Sequence, residues 1–291
     1  MNVVVLSNDT WTLRLAPQWG GRIAELSVAG MDLLIPLRSN TFDPMAWPKA
    51  GAYPLMPYSN RLRNARLRVA TRTYELPAHP AAHPHTLHGV GHTQAWQVAH
   101  CTRCQVTLTC TYTGEHWPWP IQMEQSYELS EEQLTMRLRV HNAGRDPMPA
   151  GLGLHPYFKR HPGMRVCLKA RRDWQLDADY LSTGVARTVN APLVLESDHN
   201  THTVAHYLSE WDRHLQIDYV HGQLALQASE VLTHFVVFSP QSASYLCLEP
   251  VSHLADAFNS PAEAWPQTGT RLLAPGEALE GTLVWAWTAT R

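Results

Sequence analysis

The sequence predicts an all-β protein, a sandwich or barrel of short strands, on three observations. Apolar residues recur at every second position through its apolar segments, the pattern of strands with one face buried. Few windows keep apolar residues at three- and four-residue spacing, so helices have little to pack with. The chain also carries 21 prolines and 16 glycines, and punctuation that frequent implies many turns.

Along the chain, Trp11, Leu13 and Leu15 alternate with Thr12 and Arg14 in the first clear strand, and Arg66-Leu67-Arg68-Val69 marks another. Cys101-Thr-Arg-Cys104 leads into the alternating Val106, Leu108, Cys110 and Tyr112, so its thiols are expected on a strand as small buried residues. A redox pair would want its thiolate at a helix N-terminus. Leu134, Met136, Leu138 and Val140 alternate with Thr135, Arg137, Arg139 and His141, which predicts one face in the core and one in water. The segments 215–219 and 224–226 flank His221-Gly222 and predict a hairpin turned at the glycine. Phe235-Val-Val-Phe238, closed by Ser239-Pro240, reads as a strand buried on both faces, and Leu283-Val-Trp-Ala-Trp287 adds a last one. No repeat, linker or charge block divides the chain, so residues 1–291 are expected to form one domain.

Composition narrows the function classes. At 44% hydrophobic and 16% charged, the 291 residues can bury a large core. A net charge of −2 offers no basic stripe for a phosphate backbone, so nucleic acid is not an expected partner. No run reaches the ~20 apolar residues that cross a bilayer, and the start lacks a charged segment followed by a long apolar one, so no membrane is expected either. Five cysteines are too few and too odd in number for a disulfide framework. A cytoplasmic monomer or weak homodimer is expected.

Four segments break the strand pattern with polar groups that a core would not choose: Pro57-Tyr-Ser-Asn60-Arg61, Leu87-His88-Gly89, Gly151-Leu-Gly-Leu-His155-Pro-Tyr157-Phe158 and Cys247-Leu-Glu249-Pro250-Val-Ser-His253. Glu249, between Leu248 and Pro250 at a strand end, would be partly desolvated with its pKa raised, which suits a general base. His155 precedes a proline that forbids a ladder hydrogen bond and favours extended backbone, which aims its ring into a cleft and suits a general acid. Each residue alone fits a structural role as well: a hydrogen-bonded carboxylate, a satisfied core histidine.

Taken together and in order, the chain resembles the aldose 1-epimerase, or galactose mutarotase, family, in particular its shorter bacterial members. The resemblance runs from Gly20-Gly-Arg-Ile-Ala-Glu-Leu26 through Pro54-Leu-Met-Pro-Tyr-Ser-Asn-Arg-Leu62, Leu87-His-Gly89 and Gly153-Leu-His-Pro-Tyr-Phe158 to Leu248-Glu-Pro-Val-Ser-His253 and Asp256-Ala-Phe-Asn259. It implies a large antiparallel β-sandwich of the supersandwich type, no cofactor, and a cleft for a free monosaccharide. By the same resemblance Glu249 is the base that takes the anomeric hydroxyl proton, and His155 the acid at the ring oxygen. His88 is then a second histidine orienting that end of the sugar, and Asn60 and Arg61 hold sugar hydroxyls. The chemistry asks for such groups in any case, because ring opening moves one proton off a hydroxyl and another onto an ether oxygen near neutral pH. Trp96, Tyr157 or Phe258 would supply an aromatic platform for a sugar face.

One position departs from the family. An aspartate that contacts sugar hydroxyls is replaced by Ala205 in Ala205-His206-Tyr-Leu-Ser-Glu210-Trp211-Asp212, and Asp212, Glu210 or Asp198 would have to compensate. The histidine run 79, 83, 85, 88 and 92 lacks recognisable zinc spacing, and proline and small residues through 77–85 predict a solvated loop instead of a metal site. Two rival readings stand beside the mutarotase. One is a carbohydrate-binding protein on the same fold. The other is a mutarotase for phosphorylated hexoses, which would need cations such as Arg63, Arg66 and Arg68 at a phosphate. A glycosidase ordinarily needs two carboxyl groups about the bond, and one stands out here.

Overall fold

The computed structural model describes residues 3–46, 48–197 and 201–290. Asp198 lies outside them. Eighteen strands hydrogen-bond into one antiparallel sheet that doubles back on itself. In one layer the order is Trp11–Ala16, Arg22–Val28, Ala52–Leu55, Gly153–Lys159, Tyr245–Val251, His234–Ser239 and the first half of Val204–Tyr219. In the other it is Gln97–Cys101, Gln105–Gly114, Trp117–Leu129, Gln133–Asn142, Ala278–Ala289, Gly222–Ala228 and the second half of Val204–Tyr219.

The strand Val204–Tyr219 therefore joins the layers, and its chain bends where Glu210 (φ 54°) and Arg213 (φ 62°) adopt the left-handed region. Asp212 lies within that bend, and its Oδ1 accepts the His214 backbone N–H at 3.1 Å. Between the layers runs a continuous apolar core from Leu6 to Trp285. Phe158 of one layer stacks on Trp285 of the other, centroids 5.5 Å apart, and each large side chain so buried is worth roughly 1.5–3 kcal/mol.

The expected strands are present. Leu134, Met136, Leu138 and Val140 point into the core, and Tyr219 pairs with Gly222 across a two-residue turn. Two expectations need correction. Cys101 and Cys104 are exposed, because they flank the turn between Gln97–Cys101 and Gln105–Gly114 instead of lying inside a strand. The 77–85 segment is not simply solvated: His79, Ala82 and His85 are buried. His79 Nδ1 accepts from Ala81 N, and His85 Nδ1 accepts from Asn64 N, so backbone bonds hold both rings.

Candidate active site

Period-two alternation builds the floor of the site. In Gly153–Lys159, Leu154 and Phe158 face the core, which turns His155 and Tyr157 to the opposite face. The register pairs Gly153 with Val251 and Tyr157 with Cys247, which sets His155 across from Glu249. The same register continues sideways: His155 opposite Tyr53, Glu249 opposite Val236, Val236 opposite Tyr207. A second row, Tyr157, Cys247, Phe238 and Ala205, runs beside it.

Two loops close the cavity from above. Asn60 and His88 both adopt the left-handed region, at φ 63° and 64°, and they clasp each other. Asn60 N donates to His88 Nδ1 at 3.1 Å, and His88 N donates to the Asn60 carbonyl at 2.8 Å. Because a backbone N–H donates to Nδ1, neutral His88 carries its proton on Nε2. Asn60 Oδ1 accepts from Arg61 N, and Asn60 Nδ2 donates to Tyr207 Oη at 2.6 Å, tying the loop to the floor. Behind the loop, His253 Nε2 accepts from Ser59 N and Asp256 Oδ1 accepts from Arg63 N. Asn259 Oδ1 accepts from Arg68 N and its Nδ2 donates to the Arg66 carbonyl. The two C-terminal motifs thus prop the loop that carries Asn60 and Arg61, while Glu249 and Cys247 of the adjoining strand reach the cavity.

The cavity is lined by Asn60, Arg61, His88, His155, Tyr157 and Glu249, together with Lys49, Tyr180, Tyr207, Val236, Phe238, Tyr245 and Cys247. At its floor His155 Nε2 lies 3.3 Å from Glu249 Oε1, with side chains 5% and 4% exposed. Burial pushes the Glu249 carboxyl up to about 8, against a smaller pull downward from Arg61. His155 is held well below 6.5, first by burial and then by the cations Lys49 and Arg22; burial and the neighbouring histidines do the same to His88. His155 stacks against both Tyr53 and Tyr157, with ring centroids 4.7 Å from each. Beneath them the buried Arg22 lies 4.5 Å over the Tyr53 ring and donates from Nη1 to the Ala50 and Pro48 carbonyls.

Six of the predicted site residues therefore share one cavity: Glu249, His155, His88, Asn60, Arg61 and Tyr157. Trp96 does not. It is fully buried, donates from Nε1 to the Gly91 carbonyl, and packs where a side chain on Gly21 would collide with it, so it anchors the loop after His88. Phe258 packs on Tyr58, Trp117 and His253, behind the loop. Asp212 and Glu210 lie at the strand bend, away from the cavity. His206, next to Ala205, pairs through Nδ1 with the buried Asp173, which Arg187 also holds. Arg63 is bound by Asp177 and Asp256 and Arg66 by Glu75, so neither reaches the cavity. Tyr207, Tyr180, Cys247 and Lys49 were not singled out from sequence. Cys247 had a signal, since a strand that presents Glu249 presents the residue two before it.

Comparison with known proteins agrees with this architecture. Residues 2–285 match the aldose 1-epimerase family model. The Escherichia coli (strain K12) protein YphB, itself uncharacterized, is 26% identical over 245 residues, covering 79% of this chain and 81% of that protein. A galactose mutarotase-like protein from Clostridium acetobutylicum superimposes with a TM-score of 0.86 at 19% identity, over 99% of this chain and 95% of that one. The GalM/aldose epimerase homologue from C. elegans gives a TM-score of 0.82 at 15% identity, over 100% and 99%. The chain belongs to the aldose 1-epimerase family.

Proposed function

We propose that the cavity interconverts the α and β anomers of a free aldose by opening and reclosing its ring. The observation that carries this reading is the buried carboxylate–imidazole contact between Glu249 and His155 at the bottom of a cavity rimmed by Asn60, Arg61 and His88. The two groups act as one coupled site that holds a single proton. In the empty cavity that proton resides on the desolvated carboxyl. A sugar surrounds Glu249 with hydroxyl donors, which favours the carboxylate and passes the proton to His155.

The steps then balance. Glu249 takes the O1 proton, the O1 electrons form the carbonyl, the C1–O5 bond breaks, and His155 protonates O5. The aldehyde rotates about C1–C2. His155 takes the proton back as O5 attacks the other face, and Glu249 returns its proton to O1. Each positioned group contributes typically 10²–10⁴-fold. The His88 Nε2–H and the Arg61 guanidinium hold the sugar oxygens, and Val236, Phe238 and Tyr180 offer apolar surface to its C–H face. The five free thiols, two of them exposed and unbridged, support a reducing cytoplasm as the setting.

The test is polarimetry of freshly dissolved single anomers of several aldoses, with a hexose 6-phosphate and a blank beside them. Acceleration of at least one neutral aldose is expected. Sugar binding with no acceleration of any would replace this reading by the carbohydrate-binding one, and acceleration confined to the phosphate would replace the substrate.

A further inference from the structure

Cys247 takes no part in the proton transfers above, yet its thiol is buried in the same floor. One ligand atom each of His155, Cys247 and Glu249 lie within 4.8 Å of one another. The register accounts for this: Cys247 and Glu249 are successive residues on one face of a strand, and His155 faces them from the next. Glu249 Oε2 has no hydrogen-bond partner among the described residues, although the side chain is 4% exposed.

We propose that His155, Cys247 and Glu249 form a zinc site that switches the cavity off. Thiolate, imidazole and carboxylate are the three donor types zinc takes, and three protein ligands leave its fourth position open toward the cavity. A soft sulfur donor disfavours magnesium and calcium, which prefer all-oxygen sets. Bonds of about 2.0–2.3 Å in a tetrahedron need ligand atoms about 3.4 Å apart, so side-chain rotations of about an ångström close the set. The ion would displace the thiol proton. With zinc bound, Glu249 and His155 can no longer exchange protons with a sugar, because the ion occupies the same donor atoms that O1 and O5 need. Zinc and aldose therefore exclude each other.

The site's existence is independent of the mutarotase reading; the inhibition rests on it. The exposed Cys101 and Cys104 are a second source of thiols, so the untagged Cys101→Ser/Cys104→Ser protein is the reference. It should bind one zinc ion per chain, and cobalt(II) in its place should show a thiolate-to-metal charge-transfer band. Cys247→Ser and Cys247→Ala, added to that background, should lose the band and bind zinc at least about tenfold more weakly, since even outer-sphere partners are worth 10–100-fold. No stoichiometric binding by the reference, or a band that survives both substitutions, overturns the site. On any aldose that is turned over, zinc should inhibit less as sugar rises and chelator should restore the rate. Inhibition indifferent to sugar concentration would place the ion elsewhere.

Discussion

The two halves of the cavity are held by different means. The floor, with His155, Glu249, Cys247, Val236 and Tyr207, comes from four neighbouring strands, and backbone register fixes each side chain before any side chain bonds another. The roof, with Asn60, Arg61 and His88, comes from two loops whose left-handed residues are locked by side-chain bonds from His253, Asp256 and each other. A floor residue can therefore be changed chemically without moving its neighbours. A roof residue is only as well placed as its props.

The sharpest way to break the comparison is Glu249→Gln. It should cost at least about 10²-fold in turnover and leave the unfolding midpoint no lower than the parent's, because a desolvated carboxyl is replaced by a neutral amide of the same shape. A denaturant melt beside the rate assay checks both, and joint loss of stability and rate would show that the floor is not register-built.

Acid should strike both halves through buried neutral histidines. Burial lowers His253 and His234 to about 4 from the usual 6.5. Between those values the unfolded chain binds protons that the folded chain refuses, so each of these two rings lowers stability as pH drops from 6.5 toward 4, by up to about 1 kcal/mol per pH unit, while Glu249, raised to about 8, works the other way between 8 and its ordinary range. Unfolding free energies at pH 7, 5.5 and 4.5 test this, with His253→Gln removing one ring's share. A gap between parent and His253→Gln that stays the same at all three pH values would contradict the neutral state of the roof prop.

Gly151→Ala should act on the roof from a distance, since a Cβ there would overlap the His253 ring that accepts from Ser59. Overpacking of this kind costs about 1–3 kcal/mol, and the sugar KM should rise more than kcat falls. The smallest effect is expected from Tyr207→Phe, which removes the one hydroxyl that receives Asn60 Nδ2. About 1 kcal/mol of stability and a several-fold rise in KM are expected, and an unchanged KM would uncouple roof from floor.

These contrasts also show what a sequence can carry. The strands were legible because alternation is local, as at 134–140, and Glu249 and His155 stood out because a carboxylate and an imidazole interrupt it. That they face each other across one pair of strands depends on register between segments almost a hundred residues apart, which no local pattern encodes. Trp96 and Asp212 were misplaced for a related reason. An aromatic or an acid near a motif looks available until packing assigns it, here to a loop anchor and to a strand bend. The exposure of Cys101 and Cys104 turned on the position of a hairpin turn, shifted by a few residues from the expected strand. Cys247 and Tyr207 were hidden in plain alternation, each two residues from a position already under scrutiny.

The most direct test is exchange NMR on the anomeric protons of an aldose that the protein accelerates. A cross-peak between the α and β signals, present with the parent and absent with both Glu249→Gln and His155→Ala at equal folded concentration, is the result expected of a proton pair that opens the ring. Equal cross-peaks in all three samples would mean that the buried contact between strands 153–159 and 245–251 is not where the chemistry happens.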